Sequence, residues 1–257
     1  MKAILCDIEG TLLQGGTAIS GAANAIASAR RTGLRVCFTT NTSTKPGSEM
    51  ASILRANGIE AEPHDVVSTV DAALRFFEER PECSVVPVCE PSVAAQFAQF
   101  GSGGGSGEDY LILGDVGERF DHRLLCELAA KVESGRKLVT LSRNKLWYAQ
   151  GVPRLDVGSY VRALEEATGV KAIDTGKPSS IFLNVALARL DVEPGRVLVV
   201  GDDPSTDIAG GASIGAVTAL VANVKSALAS RGNQGEGADF SITSIAELPE
   251  LIESICA

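Results

Sequence analysis

The sequence predicts an α/β protein whose parallel sheet carries helices on its faces, and three observations lead there. Short apolar runs alternate with stretches of helical spacing from one end of the chain to the other. The run 196–200 is apolar almost throughout, as in a strand buried on both faces. That run, like the one at 4–6, stops at acidic residues, which puts carboxylates at strand tips, where open α/β sheets hold their ligands.

Residues 4–6 form a strand ended by Asp7-Ile8-Glu9-Gly10-Thr11, and Ala-rich spacing over 18–31 gives a helix closed at Gly33. Residues 34–39 read as a strand, 40–45 as a polar loop, and Pro46 as the first residue of the next helix. A helix over 70–80, a strand over 84–89 and a helix over 91–100 follow. The Gly/Ser-rich stretch 101–107 reads as a flexible surface loop, because no Lys-Ser/Thr follows it and no strand runs directly into it. Strands at 110–113 and 137–142 alternate with helices near 122–134 and 157–168. After Gly176-Lys177-Pro178 come a helix through Ala188, the strand 196–200, another core strand at 217–221 and a closing helix over 246–255.

With 45% hydrophobic and 21% charged residues, the 257-residue chain has the composition of a soluble globular protein of one large domain or two modest ones. A net charge of -9 argues against a nucleic-acid or anionic-membrane partner, yet a few local cations suffice for a small phosphorylated substrate. The first apolar run is far too short for a signal peptide or a membrane span, and no later run reaches spanning length. Six cysteines without a C-x-x-C pair, several inside apolar runs, fit a cytoplasmic location.

Three strand-end loops offer Asp7 with Glu9, Thr40 with Asn41, and Asp202, Asp203 and Asp207. On neighbouring strands these crowd one edge, where so many carboxylates repel unless a cation is bound; an oxygen-rich acidic set suits Mg²⁺. Lys177, on its own loop, can pair with an acid or hold a phosphate. A phosphate monoester resists hydrolysis because its charge repels nucleophiles, so its cleavage needs a metal, fixed donors, a positioned nucleophile and a proton donor. Asp7 serves as the nucleophile in this reading. Glu9 protonates the departing oxygen and later deprotonates the water that splits the aspartyl-phosphate.

Asp-Ile-Glu-Gly-Thr-Leu at 7–12, Thr-Thr-Asn-Thr-Ser at 39–43, Gly-Lys-Pro at 176–178 and Val-Gly-Asp-Asp-Pro-Ser-Thr-Asp-Ile-Ala-Gly-Gly at 200–211 resemble, in order and spacing, motifs one to four of the haloacid dehalogenase-like superfamily. The α/β insert between motifs two and three resembles the class II cap of its class IIA, NagD-like subfamily, which includes p-nitrophenyl phosphatases and phospholysine/phosphohistidine inorganic pyrophosphate phosphatases. The stretch 157–169 also resembles the helix that precedes Gly-Lys-Pro there, so the likeness covers nearly the whole chain. It implies a Rossmann-like, doubly wound core from 1–78 and 176–257 with the cap at 79–175, and an active site where the two meet. It implies an Mg²⁺-dependent phosphatase acting on phosphomonoesters or phosphoamides of small metabolites, and a homodimer. By the same likeness Asp7, the Glu9 backbone carbonyl and Asp202 hold Mg²⁺, while Thr40 and Asn41 hold phosphoryl oxygens. Lys177 neutralises charge between nucleophile and phosphate, and Asp203 and Asp207 orient metal-bound water or Lys177.

The superfamily phosphatases usually carry Asp where this chain has Glu9, although enolase-phosphatases share Asp-Ile-Glu-Gly-Thr; the extra methylene bears on rate and leaving-group preference. Plainer roles stand beside these. Asp203 and Asp207 suit caps of the following helix, and Thr40 and Asn41 suit a turn. Asn144, Lys145, Trp147 and Tyr148 either face the substrate or lie on the surface of the insert, and His64 and His122 read as surface or helix-end residues. A dehalogenase has no need of Glu9, Asp202 and Asp203, and a binding protein has no need of Asp7 and Lys177. A phosphomutase or phosphotransferase would share every core residue.

Overall fold

Two parallel sheets, each with helices and a core of its own, account for the alternation of apolar and helical stretches. The structure, a computed structural model, describes residues 1–101, 107–149, 152–222 and 237–256. Most of the expected Gly/Ser loop, 102–106, lies outside the described residues.

The chain opens with β1 (Ala3–Asp7), the small hairpin β2 (Leu13–Gln14) and β3 (Thr17–Ala18), then α1 (Ala22–Arg31) and β4 (Arg35–Thr40). Next come α2 (Gly47–Ala56), β5 (Val66–Ser68) and α3 (Thr69–Glu78). Ser68 starts α3: its hydroxyl accepts from the Asp71 N–H while the Asp71 carboxylate accepts from the Ser68 N–H, so two end donors are satisfied. Then follow β6 (Ser84–Val88), α4 (Pro91–Ala94), β7 (Asp109–Leu113), α5 (His122–Glu133) and β8 (Lys137–Thr140). The helix expected over 91–100 tightens after α4 into a 3₁₀ stretch, Ala95–Phe100, and stops at Gly101 with φ 67°. A second hairpin, β9 (Leu146–Ala149) and β10 (Val152–Leu155), precedes α6 (Val157–Thr168), which Asp156 caps at its start and Gly169 ends in a left-handed conformation. The chain finishes with β11 (Ile173–Asp174), α7 (Ser180–Leu190), β12 (Val197–Gly201), α8 (Ala209–Ser213), β13 (Val217–Val221), β14 (Phe240–Ile242) and α9 (Leu248–Cys256).

The first compact unit comprises Met1–Thr40, Gly47–Val67 and Leu183–Ala257. Its sheet runs in the order β14-β13-β12-β1-β4-β5. β1 pairs in parallel with β12 on one side and β4 on the other, so the chain order reverses beside β1. Ile4, Cys6, Phe38, Leu198 and Val200 from the strands pack with Ile26, Leu54, Leu248 and Ile252 from the helices. Complete burial is worth roughly 1.5–3 kcal/mol for a large aliphatic or aromatic side chain, which makes this cluster the main support of the strand ends.

Asn41–Pro46 and Ser68–Phe182 form the second unit, with the parallel order β11-β8-β7-β6. Both faces of its sheet are covered. Tyr110 and Ile112 of β7 point into a cluster with Phe76, Phe77 and Phe97, and the alternate residues Leu111 and Leu113 into one with Leu128, Val132, Val161 and Leu164. That packing draws α3 into the second unit, whereas the motif spacing puts residues through 78 with the core. Among the described residues no helix is long and apolar enough to cross a membrane.

Candidate active site

In the first unit three neighbouring strands deliver the predicted acidic and hydroxyl residues to one end of the sheet. Asp7 closes β1 opposite Thr39 of β4, and the β1–β12 register, Cys6 against Val200, brings Gly201 and Asp202 alongside. Asp7, Thr39, Thr40, Asp202 and Asp207 are all buried. Each of Asp7, Asp202 and Asp207 offers a carboxylate oxygen within 4.8 Å of the others. At such a separation two ionised carboxylates repel by about 3 kcal/mol in an effective dielectric of about 20. Three hard oxygen donors in a buried, mutually repelling set fit a hard divalent cation such as Mg²⁺.

Asp207 reaches that cluster because of two local features. Pro204–Ile208 form one wide helical turn in which the Asp203 carbonyl accepts from both the Asp207 N–H (2.9 Å) and the Ile208 N–H (3.4 Å). Gly201 leaves the space: a methyl there would lie 2.2 Å from the Asp207 carboxyl carbon. The Asp207 carboxylate also accepts from the Asp203 N–H at 3.2 Å. Asp203 itself turns to its own loop, where its carboxylate accepts from the Ser205 N–H at 2.8 Å and from the Ser205 hydroxyl at 2.7 Å.

Glu9 is half-buried, and its carboxylate accepts from the Gly15 N–H at 2.7 Å. Gly15 and Gly16, at φ 58° and 81°, form the turn of the β2–β3 hairpin that presents this donor. The longer Glu side chain therefore has a backbone anchor in the turn six residues on.

In the second unit Asn41 and Lys177 meet. The Lys177 N–H donates to Asn41 Oδ1 at 2.7 Å, and Asn41 Nδ2 donates to the Lys177 carbonyl at 3.0 Å. Lys177 is 5% exposed. Just before it, the Asp174 carboxylate accepts from the Gly176 N–H at 2.9 Å, and burial pushes that carboxyl up to about 6. Arg143 grips Glu165 of α6 through two hydrogen bonds of 3.1 and 2.7 Å and holds it down to about 2. Arg143 also donates to the Ala172 carbonyl at 3.0 Å and lies 3.9 Å from Asp174, tying α6 to the strand that leads to Lys177. Arg143, Glu165 and Asp174 had no motif to flag them; only the folded chain brings them together.

Of the residues expected to face either substrate or solvent, Asn144 is half-buried and accepts from Asn41 Nδ2 at 3.4 Å, Lys145 is exposed, and Trp147 is 45% exposed. The Tyr148 side chain lies outside the described residues. His64 is exposed, 3.5 Å from the Asp65 carboxylate, and His122 begins α5 with Cys126 as its neighbour one turn on.

Family profiles described as Haloacid dehalogenase-like hydrolase and HAD-hydrolase-like match residues 4–103 and 174–248. The human phospholysine phosphohistidine inorganic pyrophosphate phosphatase is 31% identical over 224 residues, which span 82% of this chain and 78% of its own. Among solved structures, a p-nitrophenyl phosphatase from Archaeoglobus fulgidus matches with a TM-score of 0.87 at 24% identity, covering 97% of this chain and 98% of its own. A glycerol phosphate phosphatase from Mycobacterium tuberculosis in complex with magnesium matches with a TM-score of 0.81 at 24% identity, covering 96% and 76%. Both structures share the fold of this chain.

Proposed function

Because the chain belongs to the haloacid dehalogenase-like hydrolases, as a class IIA phosphatase, we propose that it hydrolyses phosphomonoesters or phosphoamides of small metabolites through an aspartyl-phosphate on Asp7. The observation that carries this reading is the buried meeting of Asp7, Asp202 and Asp207 at adjacent strand ends. Asp7, Asp202 and the Glu9 carbonyl are the proposed ligands of Mg²⁺, with Asp207 beside them. The ion, when bound, offsets the negative charge that otherwise keeps a carboxylate away from a phosphate.

The chain's own residues then divide the work. One Asp7 oxygen attacks phosphorus in line as the bond to the leaving oxygen or nitrogen breaks, and Glu9 gives that atom its proton. To do so Glu9 exchanges its bond to the Gly15 N–H for one to the leaving group. Glu9 next takes a proton from water, which attacks the phosphorus of the aspartyl-phosphate, releasing inorganic phosphate and restoring Asp7. The Thr40 hydroxyl donates to a phosphoryl oxygen and Lys177 offsets its charge. The relatives' names support substrates with phosphorus bound to either oxygen or nitrogen.

The test is phosphate release from p-nitrophenyl phosphate and a panel of metabolite phosphates and phosphoamides, with and without Mg²⁺. Release should require the ion and fall at least about a thousandfold in Asp7→Asn, because removing a nucleophile removes the covalent route. Release that survives Asp7→Asn unchanged would sink the aspartyl-phosphate, and no release from any compound by the folded, Mg²⁺-supplied protein would sink the hydrolytic reading.

A further inference from the structure

We propose that the Asn41 side chain is a positioning group for Lys177 and acts on the phosphoryl group only through that lysine; this rests on the reading above that Lys177 offsets phosphoryl charge. The resemblance gives Asn41 a direct hold on phosphoryl oxygens. Its surroundings give it other partners.

A peptide N–H only donates and a peptide carbonyl only accepts, so the two bonds to the Lys177 backbone decide which end of the Asn41 amide is which. One Nδ2 hydrogen goes to the Lys177 carbonyl, and the other to Asn144 Oδ1. Both hydrogens thus have protein partners, the one to Asn144 at the longer distance of 3.4 Å, and the side-chain amide has no third donor to offer a phosphoryl oxygen. Asn144 is itself braced: its N–H donates to Ser142 Oγ at 3.1 Å and its carbonyl accepts from the Gly158 N–H at 3.0 Å. Gly176 makes the close approach possible, since a methyl there would lie 2.8 Å from the Leu141 carbonyl oxygen and 3.1 Å from Asn41 Oδ1.

The consequence is chemical. A lysine is a point charge on a flexible four-carbon stem, and the volume its ammonium explores depends on how firmly its root is held. With the N–H and carbonyl of Lys177 both gripped by one amide, and Gly176 tethered to Asp174, the root has little freedom. A charge that must meet a phosphoryl group within a fraction of an ångström gains rate from such a root.

A double-substitution cycle on the full chain, with p-nitrophenyl phosphate and Mg²⁺, tests this with Asn41→Ala, Asn41→Asp, Lys177→Ala and each Asn41 variant combined with Lys177→Ala. Asn41→Ala alone should lower kcat/KM by about 10- to 100-fold, as losses of residues that orient a functional group do. The loss should divide between kcat and KM in the same proportion as in Lys177→Ala, and should shrink to about twofold or less once Lys177 is already gone. Asn41→Asp keeps the acceptor for the Lys177 N–H but turns an oxygen toward the Lys177 carbonyl; it should behave like the alanine variant, and it decides the matter where that variant fails to fold. An Asn41 loss that persists undiminished on top of Lys177→Ala would show that Asn41 touches the substrate itself and would overturn the proposal. So would Asn41 variants within about twofold of the parent, the scatter expected of independent sites. Lys177→Ala with full activity would instead remove the premise, and the proposal with it, while leaving the Asp7 and Mg²⁺ dependence to stand or fall on its own test.

Discussion

At the scale of single residues, the glycine at the end of β12 matters as much as the carboxylates around it. The Asp207 carboxylate occupies the place where a side chain at 201 would begin, so Gly201→Ala must push it out of the cluster with Asp7 and Asp202. We expect kcat/KM on p-nitrophenyl phosphate to fall by at least about tenfold, the usual cost of disturbing a group beside a metal site. An alanine variant with the parent's kinetics would show that the Asp207 carboxylate is dispensable. Asp7 and Asp202 were legible in the sequence because apolar runs ended at them, and a strand tip is a place that a pattern can reveal. The place of Asp207 was not, because it depends on the wide turn over Pro204–Ile208 and on the absent methyl at Gly201, three residues before that turn begins. The same holds for Glu9, whose spacing from Asp7 suggests an acid–base role but whose bond to the Gly15 N–H needed the β2–β3 turn to be folded.

Between elements, the link from α6 to the strand before Lys177 is electrostatic and so depends on pH. Asp174, at about 6, titrates above the roughly 3.9 of an unfolded chain, so between these values the folded protein holds more protons than the unfolded one. Stability from this group is therefore fully present below the unfolded value and is lost as pH rises through the folded one. Glu165 runs the other way: held down to about 2 by Arg143, it contributes above the unfolded value of roughly 4.3 and loses that contribution as pH falls toward 2. Asp174→Asn keeps the neutral state and an oxygen for the Gly176 N–H. Its melting temperature should exceed the parent's above about pH 6 by a few degrees, with the difference fading toward about pH 4. A difference that stays flat across that range would mean that burial does not govern Asp174. The long strands and helices could be read from their periodicity, whereas β2, β3, β5, β11 and β14, of two or three residues each, are shorter than any period they could show. The β9–β10 hairpin escaped for a different reason, since Leu146, Trp147, Val152 and Leu155 are all exposed and leave no inward and outward alternation to detect.

For the molecule as a whole, chain order revealed two α/β halves with the second inserted into the first, but the line between them is set by packing. Phe76 and Phe77 meet Tyr110, and Phe77 also meets Phe97, at centroid distances of 5.2 to 6.0 Å; no motif spacing encodes those contacts, which carry α3 into the second unit. Each unit has its own buried clusters, so each can lose its structure separately. The acidic cluster lies wholly in the first unit, and a cation that binds only the folded form stabilises only what folds to make its site. At about 100 times its dissociation constant, Mg²⁺ adds about 2.7 kcal/mol, or roughly 10 °C for a unit of this size. Scanning calorimetry should therefore resolve two transitions, of which Mg²⁺ raises one and leaves the other in place, and Asp7→Asn should shrink that shift. Two transitions that both ignore Mg²⁺ would deny the cluster its metal, whereas a single transition moving as one would show that the two cores melt together.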